Sequence, residues 1–362
     1  MNHHSSFRRN PTIRGQVRRL LLPLTTVAAM VLGMFGLGAG GAAADTVIDT
    51  IPVGDQPIGV AITPDGARAY VADELGDSVS VIETVGNTVV DTVTVGDGPF
   101  LVAITPDGSH VYVPNRNDDT VSVIETVGNT VVDTVTVGGF PTGVAVTPDG
   151  SHVYVTDLGD DTVSVIETVG NTVVDTVTVG DGPFGVAVTP DGSHVYVADL
   201  FDDTVSVIET VGNTVVDTVT VGDTPSGVAV TPDGSHVYVT NLIGDSVSVI
   251  DTGTNTEVDT ITVGDSPRGV AVTPDGSRVY VADNGGASVS VIATATNAVI
   301  ETVAVGDGPF GVAVTPDGSR VYVTNSFDNT VSVIAVEECL GSLCIDLGSL
   351  TGTGSGAGSV FS

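Results

Sequence analysis

The chain is 362 residues long with a formal net charge of −34, no lysine and no tryptophan, yet 41% of it is hydrophobic. Because nucleic-acid binding relies on Lys and Arg to neutralise phosphates, so acidic a surface excludes direct nucleic-acid binding and disfavours anionic lipid. The hydrophobic share, much of it valine, is enough for a packed core and argues against a disordered acidic chain.

Residues 1–44 contain no acidic residue and carry Arg8, Arg9, Arg14, Arg18 and Arg19 ahead of an apolar run that begins at Leu20. That run ends on Ala42-Ala43-Ala44. A basic front, an apolar middle and a small-residue A-x-A end describe a secretory signal peptide cut before Asp45. The rival reading is an uncleaved anchor, since about 20 apolar residues span a bilayer. The glycines between positions 36 and 41 and the triple alanine favour cleavage, which leaves no membrane span. Either way the rest of the chain is expected outside the cytoplasm, secreted or at the cell surface.

From residue 45 the chain repeats. Pro-Asp-Gly begins at Pro64, Pro106, Pro148, Pro190, Pro232, Pro274 and Pro316, always 42 residues apart. A fixed period of this size marks a repeat architecture. Within the fourth unit, GVAVT (185–189) ends on the strong turn signal Pro190-Asp191-Gly192, and HVYVA (194–198) ends in a polar loop. TVSVIE (204–209) alternates cleanly and is separated from TVVDTVTV (214–221) by Gly212-Asn213. Val, Thr, Tyr and Ile at a period of two predict strands, and no 3.6-residue pattern occurs in the array. Four antiparallel strands in about 42 residues make one propeller blade.

The four strands differ in kind. The first is built on small residues, Gly185 and Ala187, and is expected to crowd a central axis. The last carries Thr and Asp at alternate positions, as a strand facing water does. All seven tyrosines (Tyr70, Tyr112, Tyr154, Tyr196, Tyr238, Tyr280, Tyr322) hold one place in the second strand. That regularity predicts packing between blades rather than binding. The array opens at TVIDTIPV (46–53), which matches only a fourth strand, and closes at TVSVIAV (330–336), which matches only a third. Together they complete one blade, so the expected fold is an all-β, seven-bladed propeller whose N-terminal strand completes the last blade. The expected domains are a signal peptide at 1–44, the propeller at 45–336 and a tail at 337–362.

Tyr-Val-Thr-Asn stands at 238–241 and 322–325, with YVAD at Tyr70, Tyr196 and Tyr280, YVPN at Tyr112 and YVTD at Tyr154. On these motifs residues 46–336 resemble the YVTN-type β-propeller repeats of surface-layer and other extracytoplasmic proteins. The resemblance implies a cell-surface or secreted binding and scaffolding role, though fold alone does not fix function.

Function is expected where the copies diverge. The loop after the second strand reads DELGD, NRNDD, DLGDD, DLFDD, NLIGD, DNGGA and NSFDN. The loop before the first reads DQPI, DGPF, GFPT, DGPF, DTPS, DSPR and DGPF. Both leave a four-stranded blade at the same end, so they form one face of the disc and the constant hairpins form the other. That face gathers Phe100, Phe140, Phe184, Phe201, Phe310 and Phe327 together with Arg116 and Arg268. The functional reading is a surface for a protein or envelope partner with aromatic anchors; the plainer reading folds each Phe over the end of its own blade. Asp199, Asp202 and Asp203 are candidate calcium ligands, because calcium takes several oxygens, although no D-x-D-x-D-G loop is present. Solvated acidic loops are the plainer reading there, and no other cofactor is expected.

His110, His152, His194 and His236 share one repeat position, held elsewhere by Arg68, Arg278 and Arg320, and read as exposed hairpin residues rather than a metal set. Lactonase-like propellers supply the enzymatic alternative, with one-off charged residues at the channel mouth. Here Glu74, Arg116 and Arg268 are such charges, but each reads as an ordinary loop charge. No nucleophile–base spacing, phosphate loop or C-x-x-C-H motif accompanies them. The expectation is therefore a non-catalytic binding or scaffold module, with a calcium-stabilised surface protein as one alternative and a lactonase-like hydrolase as another. Beyond Val336, Cys339 and Cys344 lie close enough for a local disulfide in an exported chain, and TGTGSGAGSVFS (351–362) has linker composition.

Overall fold

The computed structural model describes residues 44–340 and 343–346; the leader and the Gly/Ser-rich end lie outside them. Seven four-stranded antiparallel sheets form the blades of a propeller. In the fourth blade the strands are Pro183–Val188, His194–Asp199, Thr204–Glu209 and Thr214–Thr220, paired in that order from the axis outward. The innermost strand is half buried toward the channel. The two middle strands are almost wholly buried, whereas in the outermost only Val219 is. Among the described residues the one helical element is a 3₁₀ turn at Glu74–Gly76.

The seventh blade joins the two ends of the array. Thr46–Pro52 pairs antiparallel with Thr330–Ala335 and forms the outer edge of the sheet that holds Pro309–Val314 and Arg320–Asn325. After it, Glu337–Leu340 pairs with Leu343–Asp346, in a register that sets Cys339 opposite Cys344. Their side chains, and so the expected disulfide, lie outside the described residues.

Seven of the core clusters each lie between two blades. Tyr196, Val205, Val207 and Val219 of the fourth blade pack against Val237, Val239 and Ile250 of the fifth. Burying one such Val or Ile is worth about 1.5–3 kcal/mol, so the inter-blade seams hold much of the stability. The tyrosines sit in these seams, as their fixed position predicts, and each hydroxyl crosses to a neighbour. Tyr196 Oη donates to Asn255 Oδ1 of the next blade's hairpin at 2.8 Å, and Tyr70, Tyr112 and Tyr154 repeat the contact with Asn129, Asn171 and Asn213. Burial pushes the Tyr196 phenol up to about 12. The hairpin Asn takes the left-handed conformation there, at φ 50° for Asn255, which Asn tolerates better than most residues.

The Pro-Asp-Gly turn is a local device. Asp191 Oδ1 accepts the Thr189 hydroxyl at 2.7 Å, the Ser193 N–H at 2.9 Å and the Ser193 hydroxyl at 2.7 Å, and Gly192 takes φ +72°. These bonds, that from Thr189 first, hold the Asp191 carboxyl down at about 2.

The innermost strands crowd the axis closely enough to require glycine. A Cβ on Gly185 would overlap the Ser226 carbonyl of the next blade, and one on Gly143 would overlap that of Phe184. The second blade has Leu101 at this position. Its innermost strand shrinks to Ala103–Ile104, which pairs with Tyr112 and Val111, and upstream only an isolated Pro99–Asn115 bridge remains of the ladder. A leucine that cannot approach the neighbouring backbone explains the break.

Candidate functional site at the channel mouth

The two variable loops of each blade are zipped together at one end of the disc. Arg116 N–H donates to Gly98 O at 3.0 Å, and Leu200 N–H to Gly182 O at 3.0 Å. These bonds hold two rings of residues around the axis, one residue per blade in each. The inner ring, two residues before each innermost-strand valine, is Ile58, Phe100, Thr142, Phe184, Ser226, Arg268 and Phe310. The outer ring, first in each loop after the second strand, is Glu74, Arg116, Leu158, Leu200, Leu242, Asn284 and Ser326.

The aromatic members of the inner ring meet each other. Phe100 stands edge-on to Phe184 and to Phe310, with centroids 5.5 Å apart in both pairs, and Ile58 completes the cluster. Edge-to-face packing of this kind adds about 0.5–1.5 kcal/mol per pair beyond area burial. Beside the cluster a cavity of about 150 Å³ enters the channel. It is lined by Phe184, Ser226, Arg268, Phe310 and the glycines and valines of the innermost strands.

Two arginines overhang this floor. The Arg116 guanidinium is clasped between Phe100 and Phe140, 4.2 and 4.3 Å from the ring centroids. Arg268 lies 5.3 Å from the Phe310 centroid. Stacking of this kind is worth about 0.5–2 kcal/mol and fixes the plane of the guanidinium. Arg116 Nη1 also pairs with Glu74 Oε1 at 3.1 Å, and Glu74 Oε2 accepts Gln56 Nε2 at 2.7 Å. Arg268 forms no ion pair among the described residues. Burial first, and then the charge of Arg116, pull the Arg268 guanidinium below its usual value. The Nε of both arginines is buried without a hydrogen-bond partner. By contrast three neutral polar ring members are committed: Asn284 donates to Pro309 O, Ser326 to Gly308 O, and Thr142 bonds the Thr156 hydroxyl. Arg116 is held by Glu74 and by its two rings, whereas Arg268, which lines the cavity and forms no ion pair there, is the guanidinium placed to meet an anion.

The expected anchors therefore divide. Phe100, Phe184 and Phe310 meet one another across the axis as the channel floor, Phe140 covers Arg116, and only Phe201 and Phe327 project, 63% and 68% exposed. The calcium candidates are dispersed. Asp199 accepts the Ser206 and Thr204 hydroxyls, Asp202 accepts the Asp181 N–H, and Asp203 accepts the Thr224 N–H. Among the described residues no three His, Cys, Asp or Glu side chains converge as a metal would need. The charges that read as ordinary in the loops, Glu74, Arg116 and Arg268, are the ones the fold brings together. Glu74 and Arg116 pair across adjacent blades because they occupy one repeat position, 42 residues apart. Aligning the copies column by column shows both rings; reading each loop as a string hides them.

A family model described as Lactonase, 7-bladed beta-propeller, matches residues 141–303. No curated protein matches the chain. A chain of Kuenenia stuttgartiensis hydrazine synthase superposes with a TM-score of 0.73 at 24% identity, covering 83% of this chain and 99% of that one; at that identity the likeness concerns fold alone. The lactonase match, over residues 141–303, overturns the expectation that the chain is no enzyme and suggests a hydrolase.

Proposed function

We propose that the chain opens the ring of a small lactone at the channel mouth, releasing a hydroxy acid. The observation that carries this reading is the pair of half-buried guanidinium groups, each with a buried and unpartnered Nε, over an aromatic floor. The partial lactonase match supports the reaction class. The lactone ring lies on Phe100 and Phe310, and its carbonyl oxygen faces Arg116. Glu74 accepts a proton from a water as the water oxygen attacks the carbonyl carbon. The resulting oxyanion is stabilised by the Arg116 guanidinium in a site with little water. Collapse breaks the ring C–O bond, and the alkoxide leaving group takes the proton from Glu74. The carboxylic acid so formed releases its remaining proton to solvent, Arg268 holds the carboxylate, and a carboxylate already on the substrate would be held in the same way.

Variant kinetics separate these roles. Arg268→Met raises KM by about 10-fold or more with a small change in kcat, since it removes binding common to substrate and transition state. Arg116→Met lowers kcat by about 10²-fold, the usual effect of removing one oxyanion donor. Equal activity of both variants and wild type on a lactone that the wild type turns over would refute the assignment.

The leader's composition and the YVTN-like repeats support an extracytoplasmic location. A second reading concerns the rim outside the rings, where Leu75, Phe201, Ile243 and Phe327 occupy equivalent positions in four blades and are each 63–68% exposed. They favour contact between this face and an envelope surface, which leaves the channel chemistry unaltered. Replacing all four by Ser would abolish retention of the protein on cell envelopes; unchanged retention would dismiss this reading.

A further inference from the structure

Six of the seven seams are closed by a hairpin Asn that accepts a Tyr hydroxyl. In four of them the Asn amide also donates to an outer-strand Asp: Asn87 to Asp49, Asn129 to Asp91, Asn171 to Asp133 and Asn213 to Asp175, at 3.0–3.2 Å. The seventh seam cannot be built this way, because the seventh blade lacks the hairpin and takes its outer strand from the start of the array. Asp45, one residue before that strand, occupies the Asn position. Its carboxylate accepts the Tyr280 hydroxyl at 2.6 Å, Arg278 Nη1 at 3.0 Å and the Glu337 N–H at 2.8 Å.

The amide donor of the other seams has no side-chain equivalent here. The backbone nitrogen of Asp45 replaces it and lies 3.2 Å from Glu301 Oε2. Glu301 stands where the earlier blades have Asp, and its extra methylene reaches this nitrogen. Arg278 pairs with Asp45, and Glu301 beside it has no cation partner among the described residues. Burial and the neighbouring Asp45 charge push the Glu301 carboxyl up, against the bond from the Asp45 nitrogen. Burial also changes abruptly at this point: Ala44 is exposed, whereas Asp45 is 4% exposed.

We propose that a leader peptidase hydrolyses the Ala44–Asp45 bond and that the α-ammonium so formed seats on Glu301 as the missing cation of the seventh seam. Water adds across the peptide bond; its oxygen completes the Ala44 carboxylate and its two protons complete the Asp45 ammonium. Removal of the leader then strengthens the closure of the ring, and the small-residue stretch Ala42-Ala43-Ala44 and the buried Asp45 serve one event.

Intact mass and N-terminal sequencing of the secreted protein test the cut, with Asp45 expected as the first residue. Glu301→Gln is then compared in the processed chain and in a full chain kept uncut by Ala44→Phe. In the processed chain the substitution lowers Tm by about 2–4 °C, as loss of one partly buried ion pair does in a chain of this size. In the uncut chain it leaves Tm unchanged or raises it, because it removes a surplus carboxylate. By NMR the α-amino group of the processed wild type titrates above its usual range of about 7.7–8.0, and Glu301→Gln returns it there. A first residue other than Asp45, the same sign of Tm change in both chains, or an α-amino titration indifferent to Glu301 would overturn the proposal. None of these readouts depends on lactone turnover.

Discussion

Replacing Asp199 by Asn should stabilise the protein at neutral pH and lose that advantage in acid. The Asp199 carboxylate is fully buried at the end of the second strand of its blade. Its Oδ2 accepts the Ser206 and Thr204 hydroxyls at 2.7 and 3.2 Å, while Oδ1 has no partner. Burial outweighs those bonds and pushes the group up from 3.8 to about 6. A folded value above the unfolded one means that the folded state holds the proton more tightly, so ionisation opposes folding. The cost is small below about pH 4, grows between pH 4 and 6, and is full above that. About 2 pKa units at 1.36 kcal/mol each set its ceiling near 3 kcal/mol. The second, fifth and seventh blades already carry Asn at this position. There Asn115 Nδ2 donates to Ser122 Oγ at 2.9 Å and Thr120 Oγ1 at 3.0 Å, so the same hydroxyls turn from donors to acceptors without moving the backbone. Because Oδ1 stays unpartnered with Asn as with Asp, the expected gain is about 1–2 kcal/mol, or about 2–6 °C in Tm at pH 7.5. Calorimetric or circular-dichroism melting at pH 7.5 and pH 4 measures it. A lower Tm for Asp199→Asn at pH 7.5, or an equal gain at both pH values, would refute the reasoning.

The wild-type chain should itself gain stability as pH falls from 7 to about 5, since Asp73, Asp157 and Asp199 all sit at about 6 when folded. The turn aspartates Asp107, Asp149, Asp191 and Asp233, held at about 2, act in the opposite sense. Their contribution is complete above the unfolded value of 3.8 and is lost as pH falls through 2, so a Tm–pH scan should peak between about 4 and 5. Gly185→Ala drives a Cβ into the Ser226 carbonyl and should cost about 1–3 kcal/mol by urea unfolding; a neutral result would show that adjacent innermost strands can part freely. Tyr196→Phe removes the hydroxyl bond to Asn255 and should cost about 1 kcal/mol in the same assay, with an unaltered urea m-value.

The fold was legible because each blade states its own four strands and the period repeats them. The complementary fragments at residues 46–53 and 330–336 by themselves imply the closure. The channel mouth was harder to read. Phe100, Phe184 and Phe310 are far apart in sequence and meet only because the ring closes. Taken singly, each Phe was equally consistent with an exposed anchor, which Phe201 and Phe327 alone turn out to resemble. Arg116 and Arg268 looked like routine loop charges because their distinguishing property, dehydration over aromatic rings, belongs to the assembled axis rather than to either loop. The acidic loops misled in the opposite direction. Asp199, Asp202 and Asp203 cluster in sequence, but alternation along the strand and the turn geometry send their carboxylates to different donors. Leu101 departs from the Gly column of the innermost strands, and only the close approach of those strands turns that departure into a break.

The most direct test of the channel-mouth account is proton release during ring opening of a lactone panel, followed by pH-stat with wild type and Glu74→Gln. The account predicts turnover of at least one lactone by the wild type, and a kcat lower by about 10²-fold or more for Glu74→Gln as the proton acceptor is lost. Absence of release above background across the panel, or equal turnover by both proteins, would contradict it.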